Sequence, residues 1–181
     1  FLYGVSILGK KFNLNNIYSR FLKSNKFPYI AIALIGAAVI FSGLGNNHFI
    51  PWDEAIYSKI AKNMVNSGDF TVLRWNPESV WFEKPPLYIW MAAISMKLFG
   101  ITEFAGRLPS ALLGFSTLFI VYQLSKRMFN KTTAFIAALT LATTTQFIYY
   151  SRASMMDVSV TFFMTLALMF YYKTFTGKDK L

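Results

Sequence analysis

The sequence predicts an all-α polytopic membrane protein, with about four transmembrane helices and interfacial helices in a large first outer loop. Three observations predict it. The chain is 55% hydrophobic and 14% charged over 181 residues, and its apolar residues come in long blocks rather than in amphipathic stripes, the composition of membrane segments. Four of those blocks approach the roughly 20 residues that cross about 30 Å of hydrocarbon. The net charge of +10 is unevenly placed. Lys10, Lys11, Arg20, Lys23 and Lys26 precede the first block, and Lys126, Arg127 and Lys131 separate two later ones. Lys173, Lys178 and Lys180, against Asp179, follow the last. From 45 to 107, six basic residues (Lys59, Lys62, Arg74, Lys84, Lys97, Arg107) meet six acidic ones (Asp53, Glu54, Asp69, Glu78, Glu83, Glu103). Basic loops inside and a neutral loop outside is the positive-inside pattern.

In chain order, 1–26 reads as a basic cytoplasmic segment whose apolar start is too short and too early for a signal peptide. The chain opens on Phe1, so its natural start is expected upstream. The first span is 27–44, ended by Gly43, Gly45, Asn46 and Asn47. Asp53 reads as the N-cap of a helix reaching about Asn66, with an apolar stripe at Ile56, Ile60, Ala61, Met64 and Val65. Gly68 ends that helix, 71–75 is extended, and Asn76-Pro77 makes a turn. Pro85-Pro86 can open a helix but not sit inside one. Fifteen residues from 85 to 99, including Lys97, are few for a span. If they crossed, the basic cluster at 126–131 would lie outside, so this segment is read as an interfacial helix. The second, third and fourth spans are then 108–124, 132–150 and 154–172, and 176–181 is a basic cytoplasmic end. Gly106, Ala111 and Gly114 are small residues suited to helix packing.

Several chemistries are excluded. Without cysteine there is neither a disulfide framework nor a thiolate metal site, and His48, the single histidine, cannot build a zinc site alone. Nucleic-acid binding would gather the basic residues on one face with exposed aromatics, which this distribution does not do. All four tryptophans, Trp52, Trp75, Trp81 and Trp90, fall in one stretch, which fits an interfacial aromatic belt and also a sugar-binding wall.

The stretch with chemistry in it is 52–86, a polar loop between membrane segments. It carries Asp53-Glu54 at one end and Glu83-Lys84-Pro85-Pro86 at the other. Ionisable groups beside hydrocarbon face water, a partner or a cavity. The two prolines hold Glu83 and Lys84 just outside a helix N-terminus, where an anionic ligand is favoured. Asp53-Glu54, Phe82-Glu83-Lys84-Pro85-Pro86-Leu87-Tyr88, Arg107-Leu108-Pro109-Ser110-Ala111, and later Arg152 with Asp157 together resemble the N-terminal part of the bacterial protein-mannosyltransferase-like family, over roughly 27–175. That family includes the lipid A aminoarabinose transferases. Its members are polytopic glycosyltransferases of the C superfamily that take a sugar from a polyprenyl-phosphate carrier on the outer face of the bacterial inner membrane.

The resemblance implies a division of roles. Glycosyl transfer from a lipid phosphate needs a base for the acceptor, positive charge for the leaving phosphate, and exclusion of water. Asp53 matches the family's acidic position in the first outer loop and is the candidate base, a role compatible with capping. Glu54 is a second candidate, or ordinary complementation of the helix dipole. Glu83 matches a position that contacts a divalent metal ion or shapes the acceptor site, with a second metal ligand expected beyond residue 181. Lys84 matches the carrier-phosphate contact, against the alternative of a snorkelling interfacial lysine. Arg152 and Asp157 flank an outer turn, where they form a salt bridge or line the cavity that Asp53 faces. Tyr57 and Tyr88 contact sugar or carrier, or anchor the interface. The expected partners are membrane lipids, a polyprenyl-phosphate-linked sugar donor and a lipid or protein acceptor, and the chain is expected to be the N-terminal portion of a larger transferase. A transporter would place its charges at the bilayer midplane in broken helices and show repeated halves. A non-catalytic membrane subunit would keep the same loop and spans as scaffold.

Overall fold

The computed structural model describes residues 26–176; the predicted basic segments at either end lie outside the described residues, save Lys26 and Thr176. Seven α-helices and one small hairpin make up the described chain: α1 Phe27–Phe41, α2 Asp53–Ser67, β1 Arg74–Asn76, β2 Ser79–Val80, α3 Leu87–Phe99, α4 Glu103–Met128, α5 Lys131–Thr143, α6 Thr145–Ser151 and α7 Asp157–Thr176. Apart from the β1–β2 hairpin the architecture is helical, as the sequence predicts for a membrane protein of this class.

Helix α4 is the spine. Thr102 caps it by accepting from the Ala105 N–H at 3.2 Å, and at 26 residues it is about 39 Å long. It touches α1, α3, α5, α6 and α7. Its small residues make those approaches possible: a Cβ on Gly106 would meet the Phe49 ring at 2.9 Å and Met96 Cε at 3.0 Å, and a Cβ on Gly114 would fall onto Ser151 Oγ. The expected packing role of the small residues therefore holds, with Ala111 fully buried between them. Helix α4 starts earlier than the predicted second span, because Thr102 supplies the cap, and it carries Arg107 and Pro109 inside the helix.

Two cores form. Ile32, Ile40, Leu44, Ala111, Leu118, Tyr122, Ala134, Ala138, Ala142 and Phe147 pack where α1, α4, α5 and α6 meet. Tyr57, Ile60, Ala61, Met64, Leu73, Trp81, Tyr88, Ile89, Ala92, Ala93, Met96 and Ala105 pack α2, α3 and the hairpin against the start of α4. The second core gives the segment between α1 and α4 an interior of its own, and this fixes the polar residues on its surface. The outward faces of α1 and α7 expose Ile30, Leu34, Val160, Met164, Leu168, Phe170 and Phe175. Only hydrocarbon or further helices accommodate such faces.

Helices α4 and α7 are long and apolar enough to cross a membrane; α1 and α3 are apolar but shorter. The 13 residues of α3 make about 20 Å, short of the hydrocarbon thickness, and its inner face is packed on α2. Its Lys97 lies 5.3 Å from the centroid of the Phe70 ring, an electrostatic contact that suits an interfacial lysine. The predicted third span is not one helix. Thr144 adopts an extended backbone (φ −71°, ψ 118°) and divides α5 from α6. The Thr143 and Thr144 hydroxyls donate back to the Leu139 and Thr140 carbonyls, and such back-bonding competes with the helical ladder and bends it. Gly68 ends α2 in the left-handed conformation (φ 73°) as expected, and the turn at Asn76-Pro77 closes the β1–β2 hairpin.

Candidate active-site cavity

Asp53 is the first residue of α2, Asp157 the first of α7, and Lys84 lies three residues before α3. These three helix starts meet at one cavity of about 730 Å³, lined by Asp53, Tyr57, Lys84, Met156, Asp157, Val158, Val160 and Thr161, and by Leu141, Thr144, Gln146, Phe147 and Tyr150 from the α5–α6 break. Two carboxylates and an ammonium, far apart in sequence, thus share one space. Both carboxylates complement the positive end of a helix. All three charged residues are exposed, so the cavity is open to ligand. The break at Thr144, which the apolar periodicity did not reveal, forms the opposite wall.

Asp53 does not cap α2. The N-cap is Trp52, at φ 78° and ψ −132°, and no side chain accepts from the first turn there. Among the described residues Trp52 is the single non-glycine with positive φ, a strained conformation costing on the order of 1–3 kcal/mol. Its backbone carbonyl accepts from the Ile56 N–H at 2.9 Å while its side chain stands 84% exposed. The cap position is taken by backbone geometry, so the Asp53 carboxylate is free to face the cavity.

The reason for that geometry is Glu54. It is completely buried and its two oxygens collect four bonds. Oε1 accepts from Arg107 Nε at 2.8 Å and from the Ser154 N–H at 2.7 Å. Oε2 accepts from the Ile50 N–H at 2.7 Å and from Arg107 Nη2 at 3.1 Å. Arg107, also buried, donates in addition to the carbonyls of Leu44, Asn47 and His48 at 2.8–3.0 Å. A buried ion pair persists when its remaining lone pairs and protons are satisfied, and here they are. The pair clamps the segment after α1, the start of α2, α4 and the turn before α7. Glu54 therefore positions Asp53, its neighbour, and Asp157, three residues beyond Ser154, and does not itself line the cavity.

Other candidate residues divide. Tyr57 lines the cavity with its ring edge-on to Trp81 at 6.1 Å. Burial first, and then the charges of Asp53, Asp157 and Glu83, push its phenol up to about 12, so it remains a hydrogen-bond donor beside the carboxylates at neutral pH. Tyr88 is buried away from the cavity. Ser110 Oγ donates to its hydroxyl at 2.8 Å, and that hydroxyl lies 3.2 Å from the Gly106 carbonyl and from Ser154 Oγ, so the structure gives Tyr88 a place in the core in place of the expected substrate contact. Arg152 also turns away: its Nη1 donates to the Val39 carbonyl at 2.8 Å near the end of α1. The salt bridge to Asp157 does not form; Arg152 lines a separate cavity of about 350 Å³ that includes Arg107 and His48. None of the four tryptophans lines the cavity of Asp53 and Asp157; Trp81 supports it from behind through Tyr57.

Glu83 is exposed and close enough to raise the Tyr57 pKa. Among the described residues, no group of three or more His, Asp or Glu side chains gathers at metal-ligand spacing. The residues around Glu83 therefore do not make up a divalent-ion site by themselves. Arg107, which the sequence singles out only within a motif, is the buried partner of Glu54. The signal was present, since an arginine two residues before a proline in an apolar segment needs a buried carboxylate partner.

Comparison with known proteins follows the same lines. An uncharacterized protein of Aquifex aeolicus is 35% identical over 156 residues, which is 86% of this chain and 31% of that protein. An undecaprenyl phosphate-alpha-4-amino-4-deoxy-L-arabinose arabinosyl transferase of Serratia proteamaculans is 30% identical over 159 residues, 84% of this chain and 28% of that enzyme. The crystal structure of ArnT from Cupriavidus metallidurans bound to undecaprenyl phosphate superposes with a TM-score of 0.73 at 26% identity, over 81% of this chain and 27% of that one. The chain thus spans about a third or less of the length of these relatives. The profile of the dolichyl-phosphate-mannose-protein mannosyltransferase family matches residues 83–181, more than half of the sequence, and with the fold and the motifs in agreement the chain belongs to that family.

Proposed function

We propose that this chain is the N-terminal membrane portion of a glycosyltransferase of the bacterial inner membrane. It moves a sugar from a polyprenyl-phosphate carrier to a lipid or protein acceptor on the outer face. The observation that carries the reading is the convergence of Asp53, Asp157 and Lys84 on one cavity beside apolar walls, a place for a charged sugar phosphate with a lipid tail.

In this reading the acceptor hydroxyl or amine attacks the anomeric carbon of the sugar, the bond from that carbon to the phosphate oxygen breaks, and its electron pair leaves with the carrier phosphate. Asp53 takes the proton lost by the acceptor. Asp157 orients the acceptor from the facing helix start, and the Tyr57 phenol, held protonated, donates a hydrogen bond. Lys84 neutralises the charge that grows on the leaving phosphate, where a positioned cation is worth most. Glu83, exposed beside Lys84, shapes the acceptor side.

The test is carrier binding by the full-length protein. Lys84→Met keeps much of the apolar stem and removes the ammonium, so the affinity for undecaprenyl phosphate should fall by about tenfold or more, the worth of a charged hydrogen bond. Lys84→Arg should lose less. Unchanged affinity in the methionine variant would leave Lys84 as an interfacial anchor and remove the phosphate from this cavity.

A further inference from the structure

We infer that Tyr88 is a positioning residue, whose hydroxyl ties the start of α3, beside Lys84, to the turn that delivers Asp157 to the cavity. The inference rests on the proposed function for its consequence in transfer; the tether itself is a matter of geometry.

The turn between α6 and α7 is not an ordinary surface connection. Ala153, Ser154 and Met155 are all buried, Ser154 completely, while Asp157, two residues further on, is exposed at the head of α7. Connecting segments normally run over the surface, because a buried one must find partners for its polar groups inside the protein. Here those partners come from three helices. The Ser154 N–H donates to Glu54 of α2 at 2.7 Å. Ser154 Oγ lies 3.2 Å from the Tyr88 hydroxyl of α3, and the Met155 carbonyl lies 3.0 Å from Ser110 Oγ of α4.

These links join at Tyr88. Its hydroxyl lies 2.8 Å from Ser110 Oγ and 3.2 Å from the Gly106 carbonyl, two groups one turn apart on α4. One phenol therefore touches both α4 and the turn, while its ring is held in the core with Ile89, Ala92 and Ala93 of its own helix. Tyr88 stands four residues after Lys84, and Ser154 three before Asp157. The contact between their hydroxyls thus links the ammonium side of the cavity to a carboxylate side, as Glu54 links the two carboxylates. Unlike Glu54 it carries no charge, so it can be removed without stranding a buried ion. A small misplacement of a group that orients a reactant is costly in rate, which is what the tether prevents at Asp157.

The experiment uses the full-length protein and reads Tyr57, which shares the cavity with Asp53, Asp157 and Lys84 and also feels Glu83. The tyrosinate absorbance is measured in each background against the same protein carrying Tyr57→Phe, so that the ionisation of Tyr88 cancels. Asp157→Asn should bring the Tyr57 midpoint down by about half a pH unit, the effect of one charge across a solvated cavity. Tyr88→Phe keeps the ring but releases the turn, and should bring the midpoint down by a measurable share of that. Added to Asp157→Asn it should lower the midpoint no further, because the charge it displaces is already gone. Ile89→Val, a core change on the same helix that leaves every hydroxyl in place, costs stability of its own and should titrate as the wild type does. A Tyr57 midpoint in Tyr88→Phe equal to wild type or to Ile89→Val, or an undiminished effect of Tyr88→Phe once Asp157 has been replaced, would overturn the proposal. The readout needs no sugar donor, so it stands apart from the proposed function: full turnover in Asp157→Asn would count against the part given to Asp157 in transfer and leave the tether in place.

Discussion

Glu54 Oε1 accepts the backbone N–H of Ser154 at 2.7 Å across 100 residues of chain. That single bond relates the two aspartates of the cavity: Asp53 precedes Glu54, and Asp157 follows Ser154 by three residues. The two helix starts that carry these carboxylates are thus tied to each other through a buried, saturated ion pair, the kind of support that holds side chains in a fixed arrangement.

Removing that carboxylate should loosen the whole arrangement. Glu54→Gln leaves the Arg107 guanidinium buried without its counter-charge, a loss of about 3–5 kcal/mol. It should appear as a large fall in the thermal unfolding midpoint in detergent. Because the two side chains are one unit, Glu54→Gln with Arg107→Gln should destabilise by clearly less than the sum of the single changes. Additive losses would mean that the pair does not act as a clamp.

The close passage of α4 past α6 is equally specific. Gly114→Ala places a methyl group on Ser151 Oγ and should destabilise by about 1–3 kcal/mol through overpacking. Ser151→Gly in the same chain should restore part of it. Wild-type stability in Gly114→Ala would mean that α4 and α6 are not packed this closely.

Tyr57 gives a spectroscopic view of the cavity. Its pKa is raised from 10.0 to about 12, by burial first and then by Asp53, Asp157 and Glu83. Since the folded value lies above the unfolded one, its contribution to stability is fully present below pH 10 and is lost as the pH rises through about 12. The tyrosinate absorbance that Tyr57→Phe removes should therefore titrate late in the wild type and earlier in Asp53→Asn. Titration of Tyr57 at the same pH in both proteins would separate it from Asp53.

Topology is open to the same kind of test because the chain contains no cysteine. Glu78→Cys, beside the hairpin turn, and Lys126→Cys, near the end of α4, are both exposed positions. An impermeant thiol reagent should label them from opposite faces of sealed vesicles. Labelling from one face would mean that α3 crosses the membrane.

Much of this architecture was legible in the sequence, for identifiable reasons. Long apolar blocks and the placement of lysine and arginine gave the membrane class, Gly68 the end of α2, and Pro85-Pro86 the start of α3, because each rests on one local rule. The resemblance singled out Asp53 and Lys84, while Asp157 was open between a salt bridge and a cavity wall and Tyr57 between a substrate contact and an anchor; the structure lines one cavity with all four. What escaped is what depends on partners distant in the chain. The cap of α2 passed to Trp52 because Glu54 is drawn inward by Arg107 and Ser154. Tyr88 was taken into the core by Ser110, and Arg152 was drawn to the Val39 carbonyl. The break at Thr144 left no mark on the apolar pattern, since α5 and α6 are apolar on both sides of it; the run of threonines was the sole local clue.

The most direct measurement is the turnover of Asp53→Asn in the full-length enzyme, with folded protein and saturating carrier. Because Asp53 makes no capping bond, the substitution removes the basic carboxylate without removing a bond that starts α2. If the cavity is the site of transfer and Asp53 its base, the variant folds, binds the carrier with wild-type affinity and loses about a hundredfold or more in rate, the scale of general-base catalysis. Turnover near wild type under those conditions would contradict the account.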